Sequence, residues 1–589
     1  MLFFTISRIN IKLSSIYNMK NKFLAFYIVI VLPFVACSSQ DKITETETPE
    51  NISTQVDPVV AKTTGFFLDT WTPKNLDLPV SFTEATVPTA TASTVTVDYA
   101  KVLTKIPSSI YGNNANLWSG KMINDATLVN DITNLKPNII RFPGGSISDV
   151  YFWNAASIPT TAPSSLIKAD GTVEPSNFWF GLNDADWTIS LANYYELLQS
   201  TNSKGIITIN YGYARYGTGA NPVQDAAKLA ADWVKHDNGR TQYWEIGNEV
   251  YADWEASYRI NTADNKDGQP ELLNGGLYAQ HFKIIAQAMR TAAASVGNTN
   301  IKIGAVMVEG APASYLPECH KTWNAKMLQN IGEDADYYVI HNYYTNYNTN
   351  SNAAEILETP KVKTAEMMTF VKSELSSNVK EVKPLALDEW NIFAVGSKQQ
   401  VSHINGMHAV LLLGEVLKNN IGLAARWDFA NGWANGDDHG MFSNGDEPNI
   451  PKGTPRPAFY HMYYFQKCMG DRLIEAVKDA SGNYEVYASS FSNGKLGLTF
   501  VNKASSAINV KINLKNFVKG NRMYWYNLVG DNDNGEFSRK VIINGSGPLL
   551  TAGGPSGYKD IKPFSATIGE TPNVTLPARS SVFVIIDNQ

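Results

Sequence analysis

Short apolar segments alternate with longer helical patterns through the middle of the chain. Between about residues 107 and 470, each short run rich in β-branched residues precedes a stretch with helical spacing of its apolar positions. This alternation is typical of βα units around a parallel sheet. Eight strands are predicted, at Ile110–Asn113, Asn138–Phe142, Gly205–Asn210, Gln242–Gly247, Ile301–Met307, Tyr337–His341, Pro384–Asp388 and Gly422–Trp427. Eight units in series predict a closed (β/α)₈ barrel.

The two flanks of this region have a different pattern. After about residue 471, short alternating segments are separated by Gly, Asn and Ser turns, which is typical of a β-sandwich over 471–589. Residues 61–106 contain similar runs, such as Thr94–Asp98, and are predicted to pack as strands with that sandwich. The predicted fold class is therefore α/β: a TIM barrel at 107–470 with a C-terminal β-sandwich that also takes in N-terminal strands.

The N-terminal segment carries a predicted export signal. The apolar run Phe23–Val35 follows two lysines and is too short to span a bilayer. It ends at Phe34-Val35-Ala36-Cys37, which resembles a bacterial lipobox, so residues 1–37 are predicted to be a signal peptide with lipidation at Cys37. Residues 38–60 are rich in Ser, Thr and Glu and are predicted to be a disordered tether. We expect a secreted protein anchored by lipid to the outer membrane, on its outer or its periplasmic face.

Amino-acid composition and net charge indicate which chemical class of ligand the protein binds. Charged residues make up 18% of the chain and aromatic residues 11%, which suits an extracellular protein that binds an uncharged, ring-shaped ligand. The net charge of −6, with no basic run, argues against nucleic acid. Cys319 and Cys468 are predicted to be buried single thiols, and no metal or cofactor is predicted.

Two glutamates end predicted strands, where (β/α)₈ barrels carry their active sites. Glu249 follows Asn248 at the end of the fourth strand, and Glu389 ends the seventh. A barrel of radius roughly 7–8 Å would leave their carboxyl groups about 5 Å apart, as in a retaining glycosidase. Glu389 would then be the ionised nucleophile and Glu249 the protonated acid/base. Arg141, which ends the second strand, is placed to hold one carboxylate ionised.

Four motifs together closely resemble those of clan A glycoside hydrolases, above all family 51, the α-L-arabinofuranosidases. They are Arg141–Gly145, Glu245–Glu249, His341–Tyr343 and Asp388–Asn391. The resemblance covers the barrel region and implies a barrel fused to a β-sandwich built from both ends of the chain. It also implies that Glu249 is the acid/base with His341 beside it, that Asn248 binds the sugar 2-hydroxyl, and that Arg141 and Tyr343 orient the nucleophile Glu389.

The chain departs from that family after the first predicted strand. Where family 51 carries a Glu-His pair that holds the terminal furanose, this chain has Tyr111–Trp118. Asn113 in that segment, Trp390 and Trp427 complete the predicted substrate-binding set. Aromatic residues and a polar loop could also line a longer cleft for several pyranose rings, namely Trp118, Trp153, Trp427, Trp433 and Gly436–Gly440, although an accidental surface turn is the favoured interpretation of that loop.

Three functions stay open at this point, all involving plant or algal polysaccharides or oligosaccharides. The favoured one is a retaining, exo-acting α-L-arabinofuranosidase. The second is an endo-acting clan A hydrolase, such as a β-glucanase or an agarase-like enzyme, and the altered segment at Tyr111–Trp118 motivates it. The third is a surface glycan-binding protein that has lost catalysis. The presence of Glu249, Glu389 and Asn248 argues against this third function.

Overall fold

Eight parallel strands close into a barrel in the computed structural model of the protein, which describes residues 52–589. Each strand pairs with its neighbours in sequence, and the last pairs with the first. This confirms the predicted barrel. The strands are β1 Gly112–Asn114, β2 Ile139–Phe142, β3 Lys204–Ile209, β4 Thr241–Ile246, β5 Lys302–Val306, β6 Tyr337–Tyr343, β7 Leu385–Asn391 and β8 Leu423–Arg426.

Helices follow every barrel strand and cover its outer surface. They are α1 Ala126–Leu135, α2 Leu191–Thr201, α3 Gly212–Tyr216, α4 Pro222–Asp237, α5 Gly275–Ser295, α6 Glu318–Ile331, α7 Ala353–Asn378, α8 His403–Lys418 and α9 Pro457–Cys468. Local signals fix their starts: the Asp125 side chain accepts hydrogen bonds from two amides at the start of α1, and Asn352 with Glu355 forms a capping box at α7.

A second region is an eleven-stranded sheet around its own hydrophobic core; ten strands form one hydrogen-bonded path, and Ile542–Ile543 pairs beside it with Lys519–Val529. The strand Ser93–Lys105 lies inside this sheet, between Arg472–Lys478 and Ile508–Lys515. The fold class, with N-terminal strands taken into the C-terminal domain, is therefore confirmed. The other strands are Thr83–Glu84, Tyr484–Ser490, Leu496–Asn502, Lys519–Val529, Ile542–Ile543, Phe564–Thr567, Asn573–Leu576 and Ser580–Asn588.

Helix α8 lies between the two regions and packs against both. All but one of its residues are buried, because one side faces the barrel and the other faces the sheet. Tyr487 of the sheet donates a hydrogen bond to the carbonyl of Leu411 at 3.1 Å, and Nε2 of His403 lies 2.9 Å from the carbonyl of Arg579. A helix that is apolar all round is expected in such a position.

Part of the predicted N-terminal strand segment lies under the barrel instead. Gly65–Leu68 is a 3₁₀ turn, and the ring of Phe67 packs 5.3 Å from Tyr243 and 5.7 Å from Tyr337. The amide of Leu385, at the start of β7, donates to the carbonyl of Thr63 at 2.8 Å. The turn covers the N-terminal end of the barrel, and the burial of Phe67 there stabilises this position.

The predicted disordered tether also differs from the structure over its described part. In residues 52–60, Asp57 pairs with Arg472 at 2.6 Å and with Lys105 at 3.1 Å, so this stretch is bound to the strand-rich region. Residues 1–51, with the predicted signal peptide and Cys37, lie outside the described residues. Cys319 and Cys468 are buried free thiols, as expected.

No helix within residues 52–589 is both long enough and apolar enough to cross a membrane.

The connection between β2 and α2 is the longest excursion near the mouth of the barrel. It contains the strand pair Tyr151–Phe152 with Trp179–Phe180 and the hairpin Ser165–Ile167 with Val173–Pro175. A further pair, Ala430–Asn431 with Phe442–Ser443, follows β8. Because these segments follow the carboxyl ends of barrel strands, they form a rim around the expected position of an active site.

Candidate active site

The two predicted catalytic glutamates face each other at the carboxyl end of the barrel. Glu249 follows β4, and Glu389 lies near the end of β7. One oxygen of Glu249, one oxygen of Glu389 and one ring nitrogen of His341 all lie within 4.8 Å of one another. The barrel therefore brings together two carboxyl groups at close to the separation that its radius predicts.

A bulge in β7 brings two consecutive acidic side chains to the same site. Ile340 pairs with Leu387 and His341 with Glu389, so β7 holds one extra residue at Asp388. Arg141 lies 3.5 Å from Asp388 and 3.2 Å from Glu389. Consecutive residues of a regular strand point to opposite faces, and the extra residue of a bulge removes that restriction.

Arg141 on β2 is the hub of the site and is fully buried. Its Nε donates to Glu245 at 2.9 Å, one terminal nitrogen donates to Glu389 at 3.2 Å and Asn114 at 3.1 Å, and the other donates to Asn248 at 2.9 Å. Burial opposes the charge of Arg141, but the surrounding carboxylates raise its pKa above the ordinary value. A permanently charged guanidinium thus fixes the positions of Glu389 and Asn248 together.

Each catalytic candidate has further hydrogen-bond partners. The hydroxyl of Tyr343 donates to Oε1 of Glu389 at 2.7 Å. The Nδ1 of His341 lies 2.9 Å from Oε1 of Glu249, and its Nε2 lies 3.1 Å from Asp388. The indole of Trp254 donates to Oε2 of Glu249 at 3.2 Å. Both carboxyl groups are thereby held at a defined orientation.

Asn248 is fixed by two buried acidic residues from neighbouring loops. Its backbone amide donates to Asp149 at 3.0 Å, and its side-chain amide donates to Glu255 at 3.1 Å. Burial raises the pKa of Asp149 to about 7 and raises the pKa of Glu255 well above its ordinary value. These side chains therefore position Asn248 without each adding a full negative charge to the site.

His341 governs the protonation of Glu249. Burial would lower the pKa of His341, but Glu389, Asp388 and Glu249 raise it well above its ordinary value. Burial likewise would raise the pKa of Glu249, but the hydrogen bond and charge of His341 lower it. Both shifts favour His341 over Glu249 as the holder of the proton between them, which differs from the predicted protonated Glu249.

The pKa values of Glu389, Glu245 and Asp388, the three carboxyl groups around Arg141, are shifted in different directions. Burial raises the pKa of Glu389, and the charge of His341 is the largest effect that opposes this rise. Burial raises the pKa of Glu245 to about 8, whereas the Arg141 charge and the Glu245 carboxyl outweigh burial at Asp388 and lower its pKa to about 2. Glu245 and Asp388 thus share one negative charge beside the guanidinium at neutral pH.

The structure replaces Asn113 by its neighbour as the site residue of β1. Asn114 accepts from Arg141 at 3.1 Å and donates to the carbonyl of Asp388 at 2.8 Å. Asn113 is fully buried, and neither polar atom of its side chain has a hydrogen-bond partner among the described residues. Strand β1 is Gly112–Asn114, one residue beyond the predicted end, and neighbouring residues of a strand point to opposite faces, so only one of the two asparagines can reach Arg141.

The predicted tryptophans are divided between the site and the core. Trp427 lies at the mouth of the barrel, 6.2 Å from Trp118, and a Cβ on Gly145 would come within 2.7 Å of its ring. This close approach, together with positive φ at Gly145, explains why a glycine follows β2 there. Trp390 is fully buried, so it cannot present a surface to a ligand, which corrects its predicted role.

Two other features of the predicted cleft also differ from expectation. Trp153 packs outside the barrel, with its ring 5.8 Å from Trp233. The loop Gly436–Gly440 is not an accidental surface turn, because Asp438 pairs with Arg456 at 2.6 Å and the ring of His439 lies 5.3 Å from Tyr343. Trp433 is half-buried beside Arg456 and Arg539.

Sequence reasoning missed several residues that shape the site. Glu245 and Asp388 belong to the motifs that carried the family resemblance, so their position just before Glu249 and Glu389 was an available signal. Trp254 and Glu255 follow β4 in an irregular loop and gave no such signal. Glu309 follows β5, and burial together with the nearby charge of Glu249 raises its pKa to about 7.

Comparisons with known proteins relate the chain to glycoside hydrolases. No protein-family model matches the chain. The chain is 23% identical over 288 residues to intracellular exo-α-(1→5)-L-arabinofuranosidase 1 of Bacillus subtilis strain 168, across 44% of this chain and 48% of that protein. It therefore spans about half the length of the curated relatives that it matches.

Solved structures share the fold over most of the chain. The family 51 α-L-arabinofuranosidase of Thermotoga petrophila RKU-1 superposes with a TM-score of 0.62 at 17% identity, covering 84% of this chain and all of that one. A family 44 endoglucanase of Clostridium thermocellum superposes with a TM-score of 0.55 at 12% identity, covering 85% of this chain and all of that one. The chain therefore shares the fold of these glycoside hydrolases. Its likeness to α-L-arabinofuranosidases agrees with the family resemblance of its motifs.

Proposed function

We propose that the protein is a retaining glycoside hydrolase in which Glu389 is the nucleophile and Glu249 the acid/base. The observation that carries this proposal is the approach of their carboxyl oxygens to within 4.8 Å. Retaining enzymes use a separation of about 5–5.5 Å, whereas inverting enzymes need about 6.5–9.5 Å for an intervening water. The distance supports direct attack on the anomeric carbon and a covalent glycosyl-enzyme.

The hydrogen bonds support these two roles in this order. Tyr343 and Arg141 each donate to Glu389, which favours its ionised form and aims a lone pair into the site. Asn248 lies beside Glu249 in sequence, and its side-chain amide retains a second hydrogen for a sugar hydroxyl. When Glu389 attacks, the glycosidic bond breaks and the leaving oxygen takes a proton from Glu249.

The proton for this step is shared by Glu249 and His341. Entry of substrate excludes water, which favours transfer of the proton from Nδ1 of His341 to Glu249 over a separated ion pair. Glu249 then gives this proton to the leaving oxygen. In the second step Glu249 accepts a proton from water, whose oxygen attacks the anomeric carbon and releases Glu389.

His341→Gln is expected to move the alkaline limb of the kcat/KM profile to lower pH. In the native enzyme the shared proton is lost only at the raised pKa of His341, whereas in the variant it is lost at the carboxyl pKa of Glu249 alone. At pH 7.5 we expect kcat/KM to fall about 100-fold, the scale of general acid catalysis, with a smaller loss near pH 5. Profiles from pH 4 to 9 measure this.

Trp254→Phe is the matched control for that prediction, because it removes the other hydrogen bond to Glu249 without removing a titratable group. Its alkaline limb should stay at the native pH while the rate falls modestly. An unshifted limb in His341→Gln would show that His341 does not hold the catalytic proton.

For the substrate, we propose α-L-arabinofuranosides of plant or algal polysaccharides. The likeness to the Bacillus subtilis and Thermotoga petrophila arabinofuranosidases supports this choice. An endo-acting hydrolase, such as a β-glucanase or an agarase-like enzyme, is the second candidate. The observation that favours it is the presence of exposed aromatic side chains on loops at the mouth of the barrel, Trp187, Trp254, Tyr315 and Tyr347.

A panel of arabinofuranosyl, xylosyl and glucosyl aryl glycosides, with intact polysaccharides, tests these alternatives. We expect release of arabinose, with the first-formed anomer in NMR matching that of the substrate. A ladder of oligosaccharides would favour the endo-acting enzyme. A first-formed inverted anomer would exclude double displacement, and no turnover on any substrate would favour the glycan-binding protein.

We also propose that the chain is secreted and held at the outer membrane by a lipid on Cys37. The apolar run before Ala36-Cys37 supports this proposal. Mass spectrometry of the protein from its native membrane fraction should find a diacylglyceryl group on Cys37 as the first residue. An unmodified N-terminus upstream of Cys37 would contradict it.

A further inference from the structure

A groove of about 620 Å³ is lined by Trp254, whose indole binds Glu249. One wall is the hairpin Ser165–Ile167 with Val173–Pro175, and the other is the loop Asp253–Ala256 after β4. Its floor contains Ser146, which donates to Glu255 at 2.7 Å, and Glu255 in turn holds Asn248. The groove is therefore continuous with the side chains that position the site.

Trp254 connects this groove to the reacting bond. Its ring is 59% exposed and lines the groove, while its indole nitrogen is bound to Glu249 at 3.2 Å. Glu249 must reach the leaving oxygen to protonate it, so the leaving group lies against Glu249 and beside the ring of Trp254. The groove thus extends from the leaving-group side of the site.

A row of tryptophan rings extends from the groove to the mouth of the barrel. Trp179 lines the groove, and its ring lies 5.8 Å from Trp187 and 6.2 Å from Trp118. Trp118 in turn lies 6.2 Å from Trp427 at the site. Indole faces are the surfaces on which sugar rings stack, and the exposed Trp187 and the half-buried Trp179 offer such faces at this end of the row.

The charges of the groove select against an acidic ligand. Lys168 and Glu174 pair across the hairpin at 2.6 Å and cancel each other. Asp170 and Asp253 add negative charge to the lining, and no other cation lines the groove among the described residues. A uronate chain would meet repulsion there, whereas a neutral chain would not.

We propose that this groove binds a neutral glycan chain on the leaving-group side of the scissile bond, with Trp254 and Trp179 as stacking surfaces. This inference rests on the proposed glycosidase function and specifies its substrate: the leaving group is a polymer rather than a small alcohol. The leaving group is a polymer both when the enzyme removes a branch from a main chain and when it cleaves within a main chain.

Ala169→Trp tests the proposal by filling the groove, because Ala169 lines it from the hairpin turn. Ala354→Trp, on the exposed surface of α7, is the matched control. For aryl glycosides, which carry no chain, both variants should keep kcat/KM within about twofold. For neutral oligosaccharides of the same sugar, Ala169→Trp should lose about tenfold or more, since stacking and chain entry are both lost. Equal losses on both substrate types would overturn the proposal.

Binding separates this inference from the proposed function. In the Glu389→Gln background, calorimetry with arabinohexaose, xylohexaose and cellohexaose should show at least one binding with an affinity that Ala169→Trp lowers and Ala354→Trp does not. Hexagalacturonate should bind more weakly than that neutral hexamer. Unchanged affinity in Ala169→Trp, or preference for hexagalacturonate, would refute the proposal that the groove binds a neutral glycan chain. Failure of the proposed function would appear instead as no turnover of any aryl glycoside by the native protein.

Discussion

Glu389→Gln is expected to lower kcat/KM by on the order of 10⁴–10⁶-fold, the scale found when a covalent nucleophile is removed. An amide cannot form the glycosyl-enzyme, yet it has the same shape as the carboxyl group. Its oxygen can still accept from Arg141, and its nitrogen can donate to the hydroxyl of Tyr343. The melting temperature should therefore change by only a few degrees. Kinetics with an aryl glycoside and thermal unfolding of the same preparation measure both.

Glu389→Gly tests directly whether Glu389 is the nucleophile. The cavity left by the side chain admits azide, which attacks the anomeric carbon from the face that Glu389 used. With an activated aryl glycoside, the product should be a glycosyl azide of inverted configuration, because only one displacement occurs.

Glu249→Gly is the matched variant, because it leaves the nucleophile intact. Azide should then attack the glycosyl-enzyme and give a glycosyl azide of retained configuration. If the two variants exchanged these products, Glu249 would be the nucleophile, and the assignment from Tyr343 and Arg141 would be reversed.

The barrel could be predicted because its signal is repeated and local. Most of the eight strands contain a short apolar run, with β1 at Gly112–Asn114 as an exception, and the parallel order follows from the intervening helices. Glu249 and Glu389 could be found for the same reason, since both follow such runs directly. Their mutual distance then depends only on the barrel radius, which the strand number determines.

Side-chain direction within a strand could not be predicted, because it depends on single-residue register. The prediction of Asn113, where Asn114 binds Arg141, is an example. The bulge at Asp388 likewise has no sequence marker that would show Asp388 and Glu389 both reaching Arg141. The one-residue spacing that places Glu389 in the site also buries Trp390.

The positions of residues in long irregular loops could not be predicted from the sequence either. Trp153 and Trp254 both follow barrel strands, but one packs on Trp233 outside the barrel and the other binds Glu249. Which outcome occurs is decided by tertiary packing across loops that lack periodicity. The groove beside Glu249 likewise depends on how the hairpin Ser165–Pro175 folds back, and no local pattern encodes that position.

Arg141→Met should be the most damaging single change to stability in the site. It leaves Glu245, Asp388 and Glu389 buried without their shared cation, and breaking a buried ion pair costs about 3–5 kcal/mol. Activity should be lost even in the folded fraction, because removing the cation raises the pKa of Glu389 further and keeps this nucleophile protonated. Urea unfolding at pH 7.5 measures the first effect, and aryl glycoside kinetics measure the second.

The pH dependence of that loss distinguishes a charge effect from a packing effect. Without Arg141, the carboxyl pKa values in the folded state lie above those in the unfolded state, so the folded variant binds more protons and its stability rises as pH falls. The difference from the native protein should therefore shrink between pH 7.5 and pH 5. Arg141→Lys restores one charge but cannot reach Glu245, Glu389, Asn114 and Asn248 together, so it should recover part of the stability and little of the activity. A stability loss in Arg141→Met that is independent of pH would show that the side chain acts through packing alone.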